Sequence, residues 1–279
     1  MSKSREKLFI WSLVAIIVAT MAFFAYLLHV HRRSRNNAPT ITCASDEIHV
    51  SVNATKEDLL TGVAAMDAED GNLTDSVVVG NRSSFMEKGT CEITYAVFDS
   101  GNKVATAKRR VYFTDYYSPR FALSDDLIFQ NGETISPLKS ITAYDCMDGD
   151  ITNRISMEWI ENDSASKIVE YRVINSMGDL STLRANITVE EKYPQNTPVI
   201  ALREYLIYIN QGETVDPLEY IKSITVGRNA YTLDEYDSEL LYFDFREFDS
   251  SVPGVHRIKI YCANGDYTGD TELLVVVND

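Results

Sequence analysis

Hydrophobic and polar positions along this chain form two patterns, and the first is a continuous apolar run. The run "LFIWSLVAIIVATMAFFAYLL" covers residues 8–28 and contains no charged side chain. In an α-helix these 21 residues would rise about 31 Å, which is the hydrocarbon thickness of a bilayer. The run therefore predicts a transmembrane helix.

A cleaved signal peptide is the alternative explanation of this run. Signal peptides have shorter apolar cores and end at a small-residue cleavage site. Here no Ala-x-Ala site follows, and the basic stretch "HVHRRSR" comes directly after the run. We therefore predict an uncleaved anchor at 8–28, a short tail at 1–7 and a basic juxtamembrane linker at 29–37. Three basic residues lie on each side of the run, so the positive-inside rule does not decide its orientation.

The second pattern is the alternation of apolar and polar residues in the remainder of the chain. In "CEITYAV", Ile93, Tyr95 and Val97 fall on the opposite face of a strand from the residues between them. The runs "LIFQNG" and "LIYINQG" are rich in β-formers and stop at glycine turns. No convincing amphipathic helix follows the anchor. Short strands at this spacing, with Asp, Asn and Gly turns, favour β-sandwiches.

The strands recur in three units of about 80 residues each. "QNGETISPL" at 130–138 reappears as "NQGETVDPL" at 210–218, and prolines stand at 39, 119 and 198. Proline and polar residues cluster in "DYYSPR" and "EEKYPQNTP", which is typical of domain boundaries. We therefore predict repeat 1 at 38–116, repeat 2 at 117–192 and a divergent repeat 3 at 193–279.

The net charge of the chain argues against nucleic-acid partners. The formal charge is −15, and six of the 26 basic residues lie in the first 35 positions, together with one acid. The remainder carries 20 basic and 40 acidic residues, a net of −20. Such a surface repels phosphate backbones and attracts cations.

A repeated acidic motif identifies a family resemblance. "AMDAEDGNLTDS" at 65–76 and "AYDCMDGDITNR" at 143–154 share Asp-x-x-Asp-Gly-(Asn/Asp)-(Leu/Ile)-Thr. With the following strand, the "DSGN" at 99–102 and a terminal strand, this order resembles the bacterial Ig-like domain first named from a pesticidal crystal protein, and it is similar to hyalin-repeat Ig-like modules. Repeat 1 matches best, repeat 2 departs at "INSMGD", and repeat 3 reads "ITVGRNAYTLDE" instead. The resemblance covers about 38–279.

The resemblance implies an all-β fold of three tandem Ig-like β-sandwiches preceded by one N-terminal transmembrane α-helix. It further implies a bacterial cell-surface protein with residues 1–7 in the cytoplasm and the repeats extracellular. Such domains serve as stalks or as adhesion and protein-interaction modules. A cell-surface glycan-binding module is the alternative, because the chain contains 16 tyrosines and aromatic faces suit sugar rings. For repeat 3 we expect the same sandwich, with 233–248 forming a different loop and strand.

The motif itself has two explanations, a turn and a metal site. As a turn, Asp67 accepts backbone N–H bonds, Gly71 adopts φ > 0 and Thr74 caps the turn. The metal-site explanation depends on topology, because the B–C and F–G loops of an Ig-like sandwich share one end. With "DCMDGD" at 145–150 as the B–C loop of repeat 2 and "NSMGD" at 175–179 as its F–G loop, the oxygen ligands at this end would suit a weakly bound calcium. The predicted calcium ligands between repeats 1 and 2 are Asp115, Asp145, Asp148, Asp150 and Asp179. A weaker second site would use Asp67, Asp70 and Asp99, and repeat 3 would have none.

Catalytic motifs and the positions of the cysteines give the last expectations from the sequence. The sequence contains no Gly-x-Ser-x-Gly, His-Glu-x-x-His or P-loop, so we expect no enzyme activity and no required cofactor, with calcium as the one candidate ion. Cys43 and Cys91 lie in one repeat and would form a disulfide in an oxidising exterior; two free thiols are the alternative. The expected partners are the membrane and an unknown extracellular protein or glycan.

Overall fold

The computed structural model describes residues 3–35, 37–162, 167–194 and 196–278. Helix α1 runs from Lys3 to Arg35 and contains the predicted transmembrane run. Within it, Phe9–Leu28 is long and apolar enough to cross a membrane, with a mean hydropathy of 2.2. The helix also includes 29–35, which we predicted as a linker. Residues 1, 2 and 36 of the predicted tail and linker lie outside the described residues.

The chain forms two compact units, and the first ends at Asp115. After α1 it contains a sandwich of two sheets, with strand orders β1-β3-β4 and β2-β7-β6-β5. Its strands are β1 (Thr40–Cys43), β2 (Glu47–Val50), β3 (Val63–Asp67), β4 (Gly71–Asn72), β5 (Val78–Arg82), β6 (Thr90–Phe98) and β7 (Val104–Phe113). The one-turn helix α2 (Lys56–Leu59) has a capping box at Thr55. The predicted alternation on β6 is confirmed, because Ile93, Tyr95 and Val97 are fully buried.

The second unit begins at Tyr116 and holds the strands of repeats 2 and 3. Those of repeat 2 are β8 (Arg120–Leu123), β9 (Ile128–Gln130), β10 (Ile141–Asp145), β11 (Gly149–Asp150), β12 (Ser156–Asn162), β13 (Lys167–Ile174), β14 (Leu180–Asn186) and β15 (Thr188–Glu190). Those of repeat 3 are β16 (Val199–Leu202), β17 (Leu206–Asn210), β18 (Ile221–Val226), β19 (Asn229–Tyr231), β20 (Leu241–Asp244), β21 (Gly254–Asn264) and β22 (Tyr267–Asn278).

All three repeats share one strand arrangement. In each, an early strand pairs in parallel with the closing strand, as β2 with β7, β9 with β15 and β17 with β22. The other paired strands are antiparallel. The sheets β16-β18-β19 and β17-β22-β21-β20 give repeat 3 the same two layers as repeat 1, with β20 inside the divergent segment 233–248. This confirms the predicted all-β fold of sandwich repeats behind an N-terminal apolar helix.

A buried tyrosine occupies corresponding positions in repeats 1 and 2. The Tyr95 hydroxyl donates to the Leu59 carbonyl at 2.6 Å, and the Tyr171 hydroxyl donates to the Pro137 carbonyl at 3.2 Å. Both side chains are fully buried. Because a buried hydroxyl without a partner is costly, these bonds allow a large aromatic ring to fill the centre of each sandwich.

Repeats 2 and 3 share one continuous hydrophobic core within the second unit. The Tyr208 hydroxyl accepts a hydrogen bond from the backbone N–H of Phe121 at 2.7 Å. The Thr271 hydroxyl donates to the carboxylate of Asp126 at 2.8 Å. Burial at this junction raises the pKa of Asp126 to about 6. Contacts between repeats 2 and 3 therefore involve polar side chains as well as apolar packing.

Candidate functional site

The acidic motif forms the same turn in repeats 1 and 2. The Asp67 carboxylate accepts the backbone N–H groups of Glu69 and Asp70 at 2.9 and 2.8 Å. The Asp145 carboxylate accepts the corresponding N–H groups of Met147 and Asp148, both at 2.9 Å. These bonds satisfy turn donors that a buried loop would otherwise leave unpaired.

Glycine and threonine complete this turn as the sequence predicts. Gly71 and Gly149 adopt φ of 75° and 73°, a conformation that side-chain-bearing residues rarely take. The Thr74 hydroxyl accepts the N–H of Ala65 at 3.1 Å. The hydroxyl of its counterpart Thr152 accepts the N–H of Ala143, in the preceding strand, at 3.0 Å. The turn-capping roles predicted for Asp67, Gly71 and Thr74 are therefore confirmed.

The second aspartate of each motif joins the B–C loop to the F–G loop. Asp70 accepts hydrogen bonds from the backbone N–H and the hydroxyl of Ser100 at 2.6 and 2.8 Å. Asp148 accepts the same pair of bonds from Ser176 at 2.7 and 2.6 Å. Arg154 donates to Asp148 at 2.5 Å. Burial alone would raise the pKa of Asp148, but the bonds from Ser176 and Arg154 outweigh it and hold the pKa below its ordinary value.

Repeat 2 adds a buried network that the sequence did not reveal. The side-chain amide of Asn175 donates to Asp145 at 3.0 Å and to the Tyr116 hydroxyl at 2.9 Å. Tyr116 in turn donates to Asp179 at 2.6 Å. Burial, followed by this bond to Asp179, raises the pKa of Tyr116. Asp145 and Asp179, two of the predicted calcium ligands, are therefore linked through an amide and a phenol.

Repeat 1 carries an aspartate where repeat 2 has Asn175. The oxygen Oδ1 of Asp99 accepts the N–H of Lys103 at 2.7 Å, as Oδ1 of Asn175 accepts the N–H of Asp179 at 2.9 Å. Their backbone N–H groups donate to these same residues at 3.0 Å. The equivalence places a carboxylate oxygen at the position of the amide of Asn175. Asp67 is only 7% exposed, and its Oδ2 has no hydrogen-bond partner among the described residues.

The predicted calcium ligands each have protein partners in the structure. Asp115 belongs to the first unit and accepts bonds from Ser51 and from the N–H of Val52, both at 2.7 Å. Asp150 accepts the N–H of Thr152 at 2.9 Å. Within 3–35, 37–162, 167–194 and 196–278, no group of three or more His, Cys, Asp or Glu is arranged to hold a metal ion. Calcium binding stays a prediction.

The disulfide predicted for Cys43 and Cys91 is not present in the structure. Both are free thiols, at the end of β1 and within β6, which belong to different sheets of repeat 1. Cys91 is fully buried, and this burial raises the pKa of its thiol. A raised pKa reduces the thiolate fraction that disulfide formation requires.

Repeat 3 has no acidic motif but carries a groove on the outer face of its larger sheet. We call it the repeat-3 groove; its volume is about 330 Å³, and its lining residues are Leu240, Tyr242, Asp244, Arg246, Tyr261, Ala263 and Thr268. The side-chain bonds from Arg246 hold the pKa of Asp244 at about 2. The sequence suggested tyrosines as sugar-binding residues but did not indicate which of them meet.

Comparisons with known proteins give only distant likenesses. No family model and no curated protein matches this sequence. A Clostridium perfringens ZmpB structure with an M60 catalytic domain and two CBM51 domains is 11% identical over 86% of this chain, with a TM-score of 0.23, and this chain covers 31% of it. Human CDH23 EC21-23 is 11% identical, with coverages of 86% and 100% and a TM-score of 0.22. Protocadherin gammaB7 EC3-6 is 10% identical, with coverages of 87% and 74% and a TM-score of 0.20. Likenesses of this size establish no relationship to the three proteins.

Proposed function

We propose that this chain is a membrane-anchored cell-surface protein whose Ig-like repeats act as a non-catalytic stalk and interaction module. The observation that carries the proposal is the complete exposure of an apolar helix. None of the side chains in Phe9–Leu28 is buried against the rest of the protein. A core helix of a soluble domain would be covered by its neighbours, whereas a lipid bilayer covers such a helix from outside.

The hydrogen bonds made by the acidic side chains of the repeats support the interaction part of this proposal. In repeats 1 and 2 the motif carboxylates accept hydrogen bonds from their own turn or from the neighbouring loop. Such groups hold loops in place, and a catalytic carboxylate would instead be poised towards a substrate. A rigid sandwich with fixed end loops suits a spacer or a binding surface.

The proposed topology can be tested with protease on intact cells that produce the full chain with a tag at each end. We expect loss of the C-terminal tag and protection of the N-terminal tag. Protection of both tags until lysis would contradict an extracellular position of the repeats. Mass spectrometry of the mature N-terminus separates an anchor from a signal peptide, because cleavage would remove the apolar run.

A charged variant of the helix tests the anchor and its role in adhesion. Val18→Asp combined with Phe23→Asp should release the chain from the membrane, because each acid at a helix centre adds about 2.5–3.5 kcal/mol to insertion. The control pair Val18→Leu and Phe23→Leu should remain membrane-bound. We expect cells with the control variant to adhere to neighbouring cells or surfaces as the wild type does, and cells with the charged variant to lose this adherence. Equal adherence of both would contradict the proposal.

Glycan binding is a second candidate for the same module. The observation that favours it is the repeat-3 groove, in which two tyrosine side chains lie beside a fixed guanidinium group.

A further inference from the structure

The floor of the repeat-3 groove is a pair of aromatic side chains on adjacent strands. Tyr242 of β20 lies directly opposite Tyr261 of β21 in the antiparallel register. The two ring centroids are 5.7 Å apart, with 37° between the ring planes. Tyr242 is 62% exposed, although a large aromatic side chain is usually covered by packing in a monomer. The pair therefore offers an aromatic surface to solvent.

One wall of the groove is a guanidinium group that the protein holds in place. Asp244 is only 8% exposed, and both of its carboxylate oxygens accept from Nε of Arg246 at 2.9 Å. The Arg246 side chain is nevertheless 86% exposed. A guanidinium carries five N–H donors in a fixed plane, and those not directed at Asp244 remain available to a ligand. Because Asp244 already holds the Arg246 side chain in place, ligand binding would cost little further side-chain entropy.

Hydroxyl groups supply the other polar positions of the groove. The phenol groups of Tyr242 and Tyr261 have no hydrogen-bond partner among the described residues, and Thr268 on β22 contributes a further hydroxyl to the lining. A hydroxyl both donates and accepts. The groove thus combines an apolar aromatic floor with several hydrogen-bonding groups at its edges.

We infer that the repeat-3 groove binds a neutral saccharide, an inference that rests on the proposed surface function and names its ligand. A sugar ring has a face of C–H groups, which packs on an aromatic ring, and edges of hydroxyls, which pair with phenols and guanidinium N–H groups. The groove volume of about 330 Å³ is at the lower end of small-ligand sites and suits one or two sugar rings.

Charge and dimensions distinguish this ligand from the main alternatives. Residues 36–279 carry 20 basic and 40 acidic side chains, so a polyanionic glycan or nucleic acid would be repelled. Within the groove itself, Asp244 and Arg246 neutralise each other. From β20 to β22 the groove crosses two inter-strand spacings, about 10 Å. An extended peptide that rises about 3.1 Å per residue would contact it with only about three residues.

The test uses the full chain in lipid nanodiscs that contain no detergent with a sugar headgroup. A panel of neutral monosaccharides and disaccharides is titrated at millimolar concentrations and followed by saturation-transfer NMR and calorimetry. We expect binding to at least one sugar and an approximately tenfold loss of affinity in Tyr242→Ala. Arg246→Ala should weaken binding similarly, and Tyr242→Trp should retain it. Tyr144, which is 55% exposed on repeat 2, supplies the matched control Tyr144→Ala, whose affinity should not change.

Several outcomes would overturn the inference. These are no binding of any panel sugar to the wild type, equal weakening by Tyr242→Ala and Tyr144→Ala, or displacement of the bound sugar by a proline-rich peptide of higher affinity. If no sugar binds but adherence still depends on the anchor helix, the proposed function stands and only the ligand assignment is wrong. If adherence is also independent of the anchor, both fail.

Discussion

Exchanging one residue between repeats 1 and 2 should change their stabilities in opposite directions. The amide of Asn175 donates to the fully buried Asp145 at 3.0 Å. Asp99 has the equivalent position in repeat 1, where Oδ2 of Asp67 has no hydrogen-bond partner among the described residues. Asp99→Asn supplies the missing donor, and Asn175→Asp removes the existing one.

The expected magnitudes follow from the cost of a buried, unpaired acceptor. Such a group costs about 1–3 kcal/mol, so Asp99→Asn should raise the free energy of unfolding of repeat 1 by about 1–2 kcal/mol. Asn175→Asp should lower that of repeat 2 by about 3 kcal/mol, because it both removes a bond and places a second carboxylate beside Asp145.

Hydrogen exchange followed by mass spectrometry measures both effects in the full chain, because peptides from each repeat report separately. Slower exchange in β3 and β6 of the Asp99→Asn variant, with unchanged exchange in β10 and β13, is the expected result. Faster or unchanged exchange in repeat 1 would refute the assignment of Asp99 to the position of the amide. An unaffected repeat 2 in the Asn175→Asp variant would refute the stabilising role of the network.

Three further predictions follow from other sites. Burial raises the pKa of Asp126 to about 6, so the folded state retains a proton that the unfolded state has released above about pH 4. The free energy of unfolding of the second unit should therefore fall by up to about 3 kcal/mol as pH rises to about 6, and denaturant melts of Asp126→Asn should lack this component. If calcium binds at the head of repeat 2, millimolar calcium should raise its melting temperature and Asp148→Ala should remove the increase; no increase would leave the bonds to Ser176, which join the B–C and F–G loops, as the role of Asp148. Gly269→Ala places a Cβ 1.8 Å from the Pro198 carbonyl oxygen and should destabilise repeat 3 by about 3 kcal/mol, seen as faster exchange in β22.

The features that depend on local sequence patterns could be predicted from the sequence alone. Alternation predicted the inward face of β6, and the apolar run predicted a long N-terminal helix. The turn chemistry of Asp67 and Gly71 was also predictable, because an Asx-type turn and a positive φ involve residues only a few positions apart. Local rules of this kind do not require knowledge of the tertiary contacts.

The remaining features depend on contacts between distant residues. The sequence showed that repeat 2 reads "INSMGD" where repeat 1 reads "DSGN". The structural role of this difference lies in the hydrogen bond from Asn175 to Asp145, 30 positions earlier. The shared core of repeats 2 and 3 was also missed, since the bond between Phe121 and Tyr208 spans 87 positions. An acidic turn motif could not decide between capping and metal binding, because both use the same oxygen atoms and differ only in their partners.

Repeat 3 differs from repeats 1 and 2 in the length of the loop that joins its last two strands. In repeats 1 and 2 the F–G loops cover 99–103 and 175–179, and a B–C aspartate holds each loop through Ser100 or Ser176. In repeat 3 the corresponding strands run to Asn264 and resume at Tyr267, which leaves a two-residue turn with Gly265 at φ 62°. Such a turn closes a hairpin by itself.

A hairpin that closes itself needs no carboxylate from the B–C loop, so the acidic motif is dispensable in repeat 3. The same change lengthens β21 and β22, whose pairing continues through Ala263 opposite Thr268. Ala263 and Thr268 of these added pairs line the repeat-3 groove beside the Tyr242–Tyr261 pair that forms its floor. Repeat 3 therefore combines the absence of the motif with an exposed aromatic pair, Tyr242 and Tyr261, and this most divergent repeat carries the site where we expect a ligand.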